Sequence, residues 1–332
     1  MPEISIIVPT WNSAQVIHTC LGCLAQQTYQ GFEIIIIDNA SLDGTFEDLK
    51  KLWPTLMFQI EKLEVNKGYA VANNIGARLA QGRWLALLNA DAFPKPGWLE
   101  NLLQATKENP EYAIFASRQL QANKPELLDG AGDAYHMTGL AWRQEYNQPA
   151  QDYGLTTKEA FSACPTAALY SRDAFLSVGG FDEDYFSYFE DVDLGFRLRL
   201  SGEKCLYVPE AVVHHVGSAS TGKRSDFSVY YGYRNMIWTF VKDMPASLFW
   251  IFLPLHIGML VFFVIYLSLR GQRKVIWKAI LDAIRGLPRM IEKRKMIQKT
   301  RKIKSSDLLR VMSTGLLEPY REFIQRNKKQ AA

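Results

Sequence analysis

The sequence predicts an α/β fold: a mostly parallel sheet with flanking helices, followed by a C-terminal membrane-associated helical region. Three observations carry this expectation. Short apolar strand patterns alternate with helical ones through the first third of the chain. Polar clusters recur at successive strand ends. Residues 244–269 hold no acidic or basic side chain apart from His256, and a strongly basic segment follows. The 332 residues are 48% hydrophobic and 12% aromatic, enough for a sizeable core, which excludes a disordered chain. The length allows one large domain or two.

The elements follow in order. Ile4–Val8 is a short β-branched run closed by Pro9, and residues 14–26 have helical periodicity. Ile34–Ile37 is four isoleucines in a row, suited to a strand buried on both faces and ending at Asp38. Residues 44–52 read as helix and Met57–Leu63 as a third strand. Residues 69–80 are Ala-rich and helical up to Gly82; Trp84–Leu88 is a further strand ending at Asn89-Ala90-Asp91. A sheet of this kind binds ligands at the carboxyl ends of its strands. One rim should therefore carry Thr10–Asn12, Asp38–Asp43 and Asn89–Asp91. Residues 120–155, rich in Gly, Gln, Asp and aromatics, read as irregular strands or a hairpin over an acceptor site. Glu190–Leu200 is helical, with acids in its first turn and Arg197 and Arg199 later, in the order that suits the helix dipole. Lys204–Val208 is the last strand, followed by Pro209.

The apolar stretch 244–269 is long enough to span a bilayer, but Pro254 should break it into two short halves. Residues 270–304 carry 13 Lys/Arg against Asp282 and Glu292, so positive-inside logic keeps that segment on the cytoplasmic side. With both flanks on one side, a re-entrant or interfacial helical pair is expected; a buried hairpin or dimer interface is the alternative. Residues 275–297 interleave Ile276, Trp277, Ile280, Leu281, Ile284, Leu287 and Ile291 with basic residues, a surface-lying amphipathic pattern. Charge is split accordingly. Residues 1–269 hold 20 basic and 29 acidic side chains (−9); residues 270–332 hold 18 and 5 (+13). A basic appendage meets a polyanion, and the adjoining apolar stretch and few stacking aromatics favour an anionic membrane over nucleic acid. Four cysteines make no disulfide scaffold. The Cys20/Cys23 pair fits a buried helix face better than a zinc or redox site. Met1–Ile4 has no basic n-region, so no secretory signal is expected and a cytoplasmic catalytic part is.

The motifs suggest chemistry. Asp38 at a strand end can accept a base N–H, with Asn39 and Ser41 reaching a ribose, though a turn plus helix cap fits the same residues. Asn73-Asn74 are poor helix formers that need partners, either a ligand or a buried network. Asp91 after a buried strand suits Mg²⁺ or Mn²⁺ held jointly with phosphate oxygens. Glu190-Asp191 among aromatics offers a rigid general base, beyond what helix capping requires.

These blocks, in order, resemble the inverting family-two glycosyltransferases of the GT-A fold: Val8-Pro9-Thr10-Trp11-Asn12, Asp38-Asn39-Ala40-Ser41, Asn66-Lys67-Gly68 and Leu88-Asn89-Ala90-Asp91, then Gly179-Gly180-Phe181-Asp182, Phe189-Glu190-Asp191-Val192-Asp193, Val208-Pro209 through His214-His215, and Tyr233-Arg234-Asn235. They look most like the rhamnosyltransferase-like subgroup of bacterial surface-polysaccharide (O-antigen) synthesis, over roughly residues 3–300. The resemblance implies residue roles. Pro9, Thr10, Asn12, Asp38 and Asn39 would hold the nucleotide; Lys67, Gly68, Asn74, Asn89 and Ala90 would line the donor site. Asp91 would be the last acid of the metal-binding DXD motif, whose first acid is Asn89 here, a weaker ligand. His215 would complete the site for a divalent metal, Mg²⁺ or Mn²⁺. Asp191, beside Glu190, would be the catalytic base, and Ser220 and Arg234 would lie near diphosphate or acceptor groups.

The resemblance also implies a catalytic domain over 1–240, with donor half 1–118 and acceptor half 119–240; membrane-associating helices over 241–304; and a basic tail over 305–332. The QxxRW block of processive synthases is absent, which implies one sugar per acceptor. The implied donor is deoxythymidine-diphosphate rhamnose, with a uridine-diphosphate hexose close behind, and the implied acceptor is a lipid-linked saccharide at the cytoplasmic face of the cell membrane. The rival readings are a polyprenyl-phosphate sugar synthase, for which a phosphate nucleophile needs no general base, and an inactive membrane scaffold of the same fold.

Overall fold

The computed structural model describes residues 2–46, 49–217 and 225–318. Its first part follows the alternating pattern: β1 (Ile4–Thr10), α1 (Ile17–Ala25), β2 (Phe32–Asp38), the single turn α2 (Leu49–Leu52), β3 (Phe58–Lys62), α3 (Gly68–Leu79) and β4 (Trp84–Leu88). β2 lies between β1 and β3, and β1 between β2 and β4, all parallel. The isoleucine run divides between two cores. Ile34 and Ile36 pack with the α1 residues Ile17, Leu21 and Leu24; Ile35 and Ile37 pack with Ala70, Ala72 and Ala77 of α3. Cys20 lies on the buried face of α1, and neither it nor Cys23 is in a disulfide.

The chain continues through β5 (Ala92–Pro94), α4 (Trp98–Glu108), β6 (Ile114–Gln121), β7 (Lys124–Gly130), β8 (Asp133–Tyr135), β9 (Ala141–Arg143), β10 (Lys158–Ala160), β11 (Ala167–Ser171), α5 (Arg172–Ser177), α6 (Glu190–Leu200) and β12 (Cys205–His215). The main sheet runs β10-β12-β6-β11-β4-β1-β2-β3, with β5 on β12 and β7 on β6; β8 and β9 pair separately. The expectation of a mostly parallel sheet needs correction, because the sheet is mixed. β11 sits antiparallel between β4 and β6. It starts where β4 ends (Ala167 opposite Leu88), so it can only run back along it.

The last strand is also longer than expected. β12 passes Pro209 through an irregularity between Val208 and Val212 in its pairing with β6, and continues to His215. A bulge is where a strand tolerates proline.

The C-terminal part holds α7 (Asp226–Asp243), α8 (Ala246–Leu267), a π-type turn (Ser268–Gln272), α9 (Arg273–Thr300) and α10 (Ser305–Val311). Pro254 does not break α8, contrary to expectation. Phe252, His256 and Met259 bury one face on both sides of it, and this packing outweighs the ~3 kcal/mol an interior proline costs. The reversal comes instead at Gly271, whose φ of 86° is left-handed and glycine-compatible. α9 then runs in step with α7: Gln272 bonds Asp226, Asp282 accepts from Tyr230, Arg294 donates to Val241 O, and Gln298 to Asp243 O. α8 therefore runs back antiparallel to both. One face of α9 (Ile276, Ala279, Ala283, Met290) is buried, while Trp277, Leu281, Ile284 and Ile291 remain exposed.

A buried charge network joins these helices to α6. Lys242 of α7 donates to Asp182 at 2.6 Å and pairs with Asp193 of α6, and Arg197 reaches Asp193 at 2.6 Å. Lys293 of α9 pairs with Asp182 and, at 2.7 Å, with Asp184. Burial opposes ionisation of Asp182, but Lys242 and Lys293 prevail and hold its carboxyl below the usual range.

Candidate functional site

The carboxyl ends of β1, β2 and β4 form one rim, as their parallel register requires. Its first part is two interlocked loops. Asn39 N donates to Thr10 O at 2.8 Å, and Thr10 Oγ1 donates to Ile37 O at 3.3 Å. Asn12 Oδ1 accepts from Leu42 N and Ser41 Oγ from Asn12 N, both at 2.9 Å. Asp38 Oδ1 accepts from Ser41 N at 2.9 Å. Asn12 and Ala40 stand in left-handed conformations (φ 49° and 60°), a strain that interlocked loops hold in place. Asn39 reaches on to the next loop, accepting from Lys67 N at 3.2 Å. Pro9 lies within β1, opposite Ile37.

Asn74 faces inward from α3. Its amide accepts from Phe181 N (2.8 Å) and donates to Phe181 O (2.9 Å) and Glu183 (3.1 Å), so it pins α3 to the segment leading to the acid pair. Of the two readings its sequence allowed, the buried network is the one seen here. Gly68 has φ +85°, and a Cβ there would meet Phe186 O at 2.6 Å. Close approach of α3 to this loop thus requires glycine.

Asn89, Ala90 and Asp91 leave β4 beside β5. His215 stands at the end of β12, paired with Ala92 of β5, and Val216 N donates to Asp91 O at 3.0 Å. This register brings His215 Nε2 to 3.5 Å from Asp91 Oδ1. Adjacent ligands of an octahedral ion at ~2.1 Å lie ~3 Å apart, so the two donors suit neighbouring positions on one divalent ion. Nearby, Asn89 Oδ1 is buried with no hydrogen-bond partner among the described residues. Among the described residues no group of three or more His, Cys, Asp or Glu could hold a metal ion. Oxygens of a bound diphosphate and water would have to complete the shell, the usual manner for Mg²⁺ and Mn²⁺. Burial disfavours the charged His215 ring, but the hydrogen bonds to Asp129 and Asp91 outweigh it and raise its pKa.

Glu190 and Asp191 open α6 after a strained approach. Phe186, Tyr188 and Phe189 have φ of 63°, 65° and 66°, uncommon for bulky side chains. The surrounding contacts over-determine this loop. Asn235 of α7, fully buried, donates through Nδ2 to the carbonyls of Tyr185, Ser187 and Tyr188 at 2.7–3.0 Å. Tyr69 N donates to Phe186 O at 2.9 Å, and Phe186 stacks on Tyr231 at 5.4 Å. Arg234, expected near diphosphate or acceptor groups, donates to Asp184 O and Tyr185 O at 3.1 and 3.0 Å and lies 4.2 Å from the Trp238 ring centre. This geometry gives it a part in holding the loop. Ser220 lies outside the described residues.

Burial raises the pKa of both acids. For Glu190 the Asp191 charge adds to the rise; for Asp191 the Val192 amide and the Arg143 guanidinium partly offset it. Glu190 Oε2 is buried with no hydrogen-bond partner among the described residues. The pair can accept a proton from a hydroxyl placed beside it.

Two residues escaped the sequence reading. Asp129, at the end of β7, accepts from His215 Nδ1 at 2.7 Å, and Arg143 of β9 pairs with the same carboxylate. Arg143 is the only Lys or Arg between residues 125 and 157, a signal available in the sequence; Asp129 had none beyond its place among weakly patterned acids.

The family described as Glycosyl transferase family 2 matches residues 5–179. The chain is similar to an N-acetylglucosaminyl-diphospho-decaprenol L-rhamnosyltransferase of Mycobacterium tuberculosis, 28% identical over 249 residues, which is 66% of this chain and 77% of that one. Among solved structures it resembles GalNAc-T7 with UDP, GalNAc and Mn²⁺ (TM-score 0.61, 17% identity, 74% of this chain and 49% of that one). It also resembles the mannosyltransferase PcManGT of Pyrobaculum calidifontis with GDP-Man and Mn²⁺ (TM-score 0.55, 16% identity, 93% and 85%). Likeness at such identities shows the shared GT-A fold.

The clamp on the strained loop generates a prediction. Asn235→Ala should leave buried carbonyls unpaired and cost about 1–3 kcal/mol in urea unfolding. Limited proteolysis should show new cleavage within 184–190. Unchanged stability together with an unchanged cleavage pattern would contradict the clamp.

Proposed function

We propose that this chain, which belongs to glycosyl transferase family 2, moves one sugar with inversion from a nucleotide-diphosphate donor to a hydroxyl of a lipid-linked saccharide. The observation that carries this reading is the Glu190–Asp191 pair, held by a strained loop at the start of buried α6. L-Rhamnose from deoxythymidine-diphosphate rhamnose is the favoured donor. Its support is the sequence similarity to the mycobacterial rhamnosyltransferase, whose name also gives the acceptor class.

In the proposed mechanism, the Thr10–Asn12 and Asp38–Ser41 loops receive the nucleoside, and Gly68 lets α3 approach the catalytic loop. Asp191 accepts the proton of the acceptor hydroxyl as that oxygen attacks the anomeric carbon. The bond to the diphosphate breaks on the opposite face. Burial raises the Asp191 pKa and makes it a stronger base than an exposed aspartate. A divalent ion held by Asp91 and His215 would supply charge stabilisation to the departing diphosphate. The fold supports this cofactor, since both solved relatives above contain Mn²⁺.

The lipid-linked acceptor agrees with the outer faces of α8 and α9. Trp250, Ile251, Ile257, Val261 and Ile265 of α8 are more than half exposed, and the helical run Ala246–Thr300, which α8 opens, is the one among the described residues long and apolar enough to cross a membrane. The sequence-level charge of +13 over 270–332 adds attraction for anionic headgroups, at ~1 kcal/mol per Lys/Arg near the surface. The proposed location is the cytoplasmic face of the membrane, with α8–α9 lying on or in that leaflet.

Three experiments test this reading. Asp191→Asn should lower transfer ~10²–10⁴-fold with nucleotide binding retained. In the wild type, activity should fall as pH drops through a pKa above the ordinary carboxylate range, because the raised pKa leaves the base protonated there. Near-normal turnover in the variant would overturn the assignment. In flotation assays the protein should rise with anionic vesicles and less so in high salt or with neutral vesicles. Binding indifferent to both would refute the electrostatic part and leave apolar insertion alone.

A further inference from the structure

We propose that Asp129 is a positioning residue for the metal site: it fixes the His215 ring so that Nε2 faces Asp91. The inference rests on the reading of Asp91 and His215 as metal ligands. His215 Nδ1 lies 2.7 Å from Asp129 Oδ2, while Nε2 lies 3.5 Å from Asp91 Oδ1. An ionised carboxylate only accepts, so Nδ1 carries a proton toward Asp129, and the neutral ring that a metal ion requires then presents its lone pair at Nε2, on the Asp91 side. A carboxylate behind a ligating histidine sets ring orientation and tautomer and raises ligand basicity.

Three features make this arrangement a built one. The His215 and Asp129 side chains are only 6% and 8% exposed, so water competes little for their hydrogen bond. Arg143 pairs with the same Asp129 oxygen and so holds that carboxylate in place behind the ring. Both residues hang on one strand: β6 pairs Gln121 with His215 of β12 and Gln119 with Gly130 of β7. The sheet itself thus sets their separation. Arg143 also acts electrostatically on Asp191, so one guanidinium serves the support of the metal ligand and the catalytic carboxylate together.

The test is Mn²⁺ affinity, read by electron paramagnetic resonance titration in the presence of uridine or thymidine diphosphate. Asp129→Ala should weaken Mn²⁺ binding ~10–100-fold, with an unchanged nucleotide affinity in metal-free buffer. Wild-type Mn²⁺ affinity in that variant would overturn the proposal while leaving the metal site standing, provided Asp91→Ala and His215→Ala lose the ion. If those two variants bind Mn²⁺ normally, the metal assignment fails and this proposal with it. Should Asp129→Ala not fold, the ring ¹⁵N shifts of His215 in the metal-free wild type decide. With the ring neutral, the Nδ1–H tautomer supports the proposal, and the Nε2–H tautomer overturns it.

Discussion

The pairing of β12 with β6 and β5 governs the rest of the site. Had β12 stopped at Pro209, no histidine would reach the end of β4. The irregularity between Val208 and Val212 absorbs the proline and lets the strand continue to His215, opposite Ala92 and next to Asp91. The same β6 strand carries β7 and hence Asp129. A sheet pairing, accurate to a fraction of a residue, is a better positioning device than a loop, because one register error would turn His215 to the other face.

The acid pair is positioned differently, by strain held in check. Residues in left-handed conformations cost of order 1–3 kcal/mol each, and Phe186, Tyr188 and Phe189 all adopt one. Hydrogen bonds from Asn235, Arg234 and Tyr69, at ~1 kcal/mol each, offset much of this. Asn235 and Arg234 belong to α7, which also carries Lys242 into the buried carboxylates Asp182 and Asp193. The C-terminal helices therefore help to hold the loop before Glu190 and Asp191: α9 closes the same network through Lys293. The exposed apolar faces of α8 and α9 and the loop before the acid pair share one support.

Much of the N-terminal part of the fold was legible in the sequence because its signals are local. A run of four isoleucines, an Ala-rich helix and polar residues at strand ends each report on their own surroundings, and the rim formed as the parallel rule requires. The acid pair at the start of α6 was legible for the same reason. What escaped was non-local. The antiparallel return of β11 depends on where the chain re-enters the sheet, and the extension of β12 on a bulge that tertiary pairing stabilises. Pro254 reads as a helix breaker in isolation, yet packing on both sides carries α8 through it. Asp129 and Arg143 lie in a weakly periodic stretch, and only the fold brings them to His215 and within electrostatic reach of Asp191.

The central claim is that Asp91 and His215 together hold a divalent ion at the donor diphosphate, across from Glu190 and Asp191. Anomalous diffraction from crystals grown with Mn²⁺ and a nucleoside diphosphate tests it most directly. The account requires a manganese peak within coordination distance, about 2.0–2.3 Å, of both Asp91 Oδ1 and His215 Nε2. Nucleotide bound on the rim with no peak there, or a peak held by other residues, would contradict it.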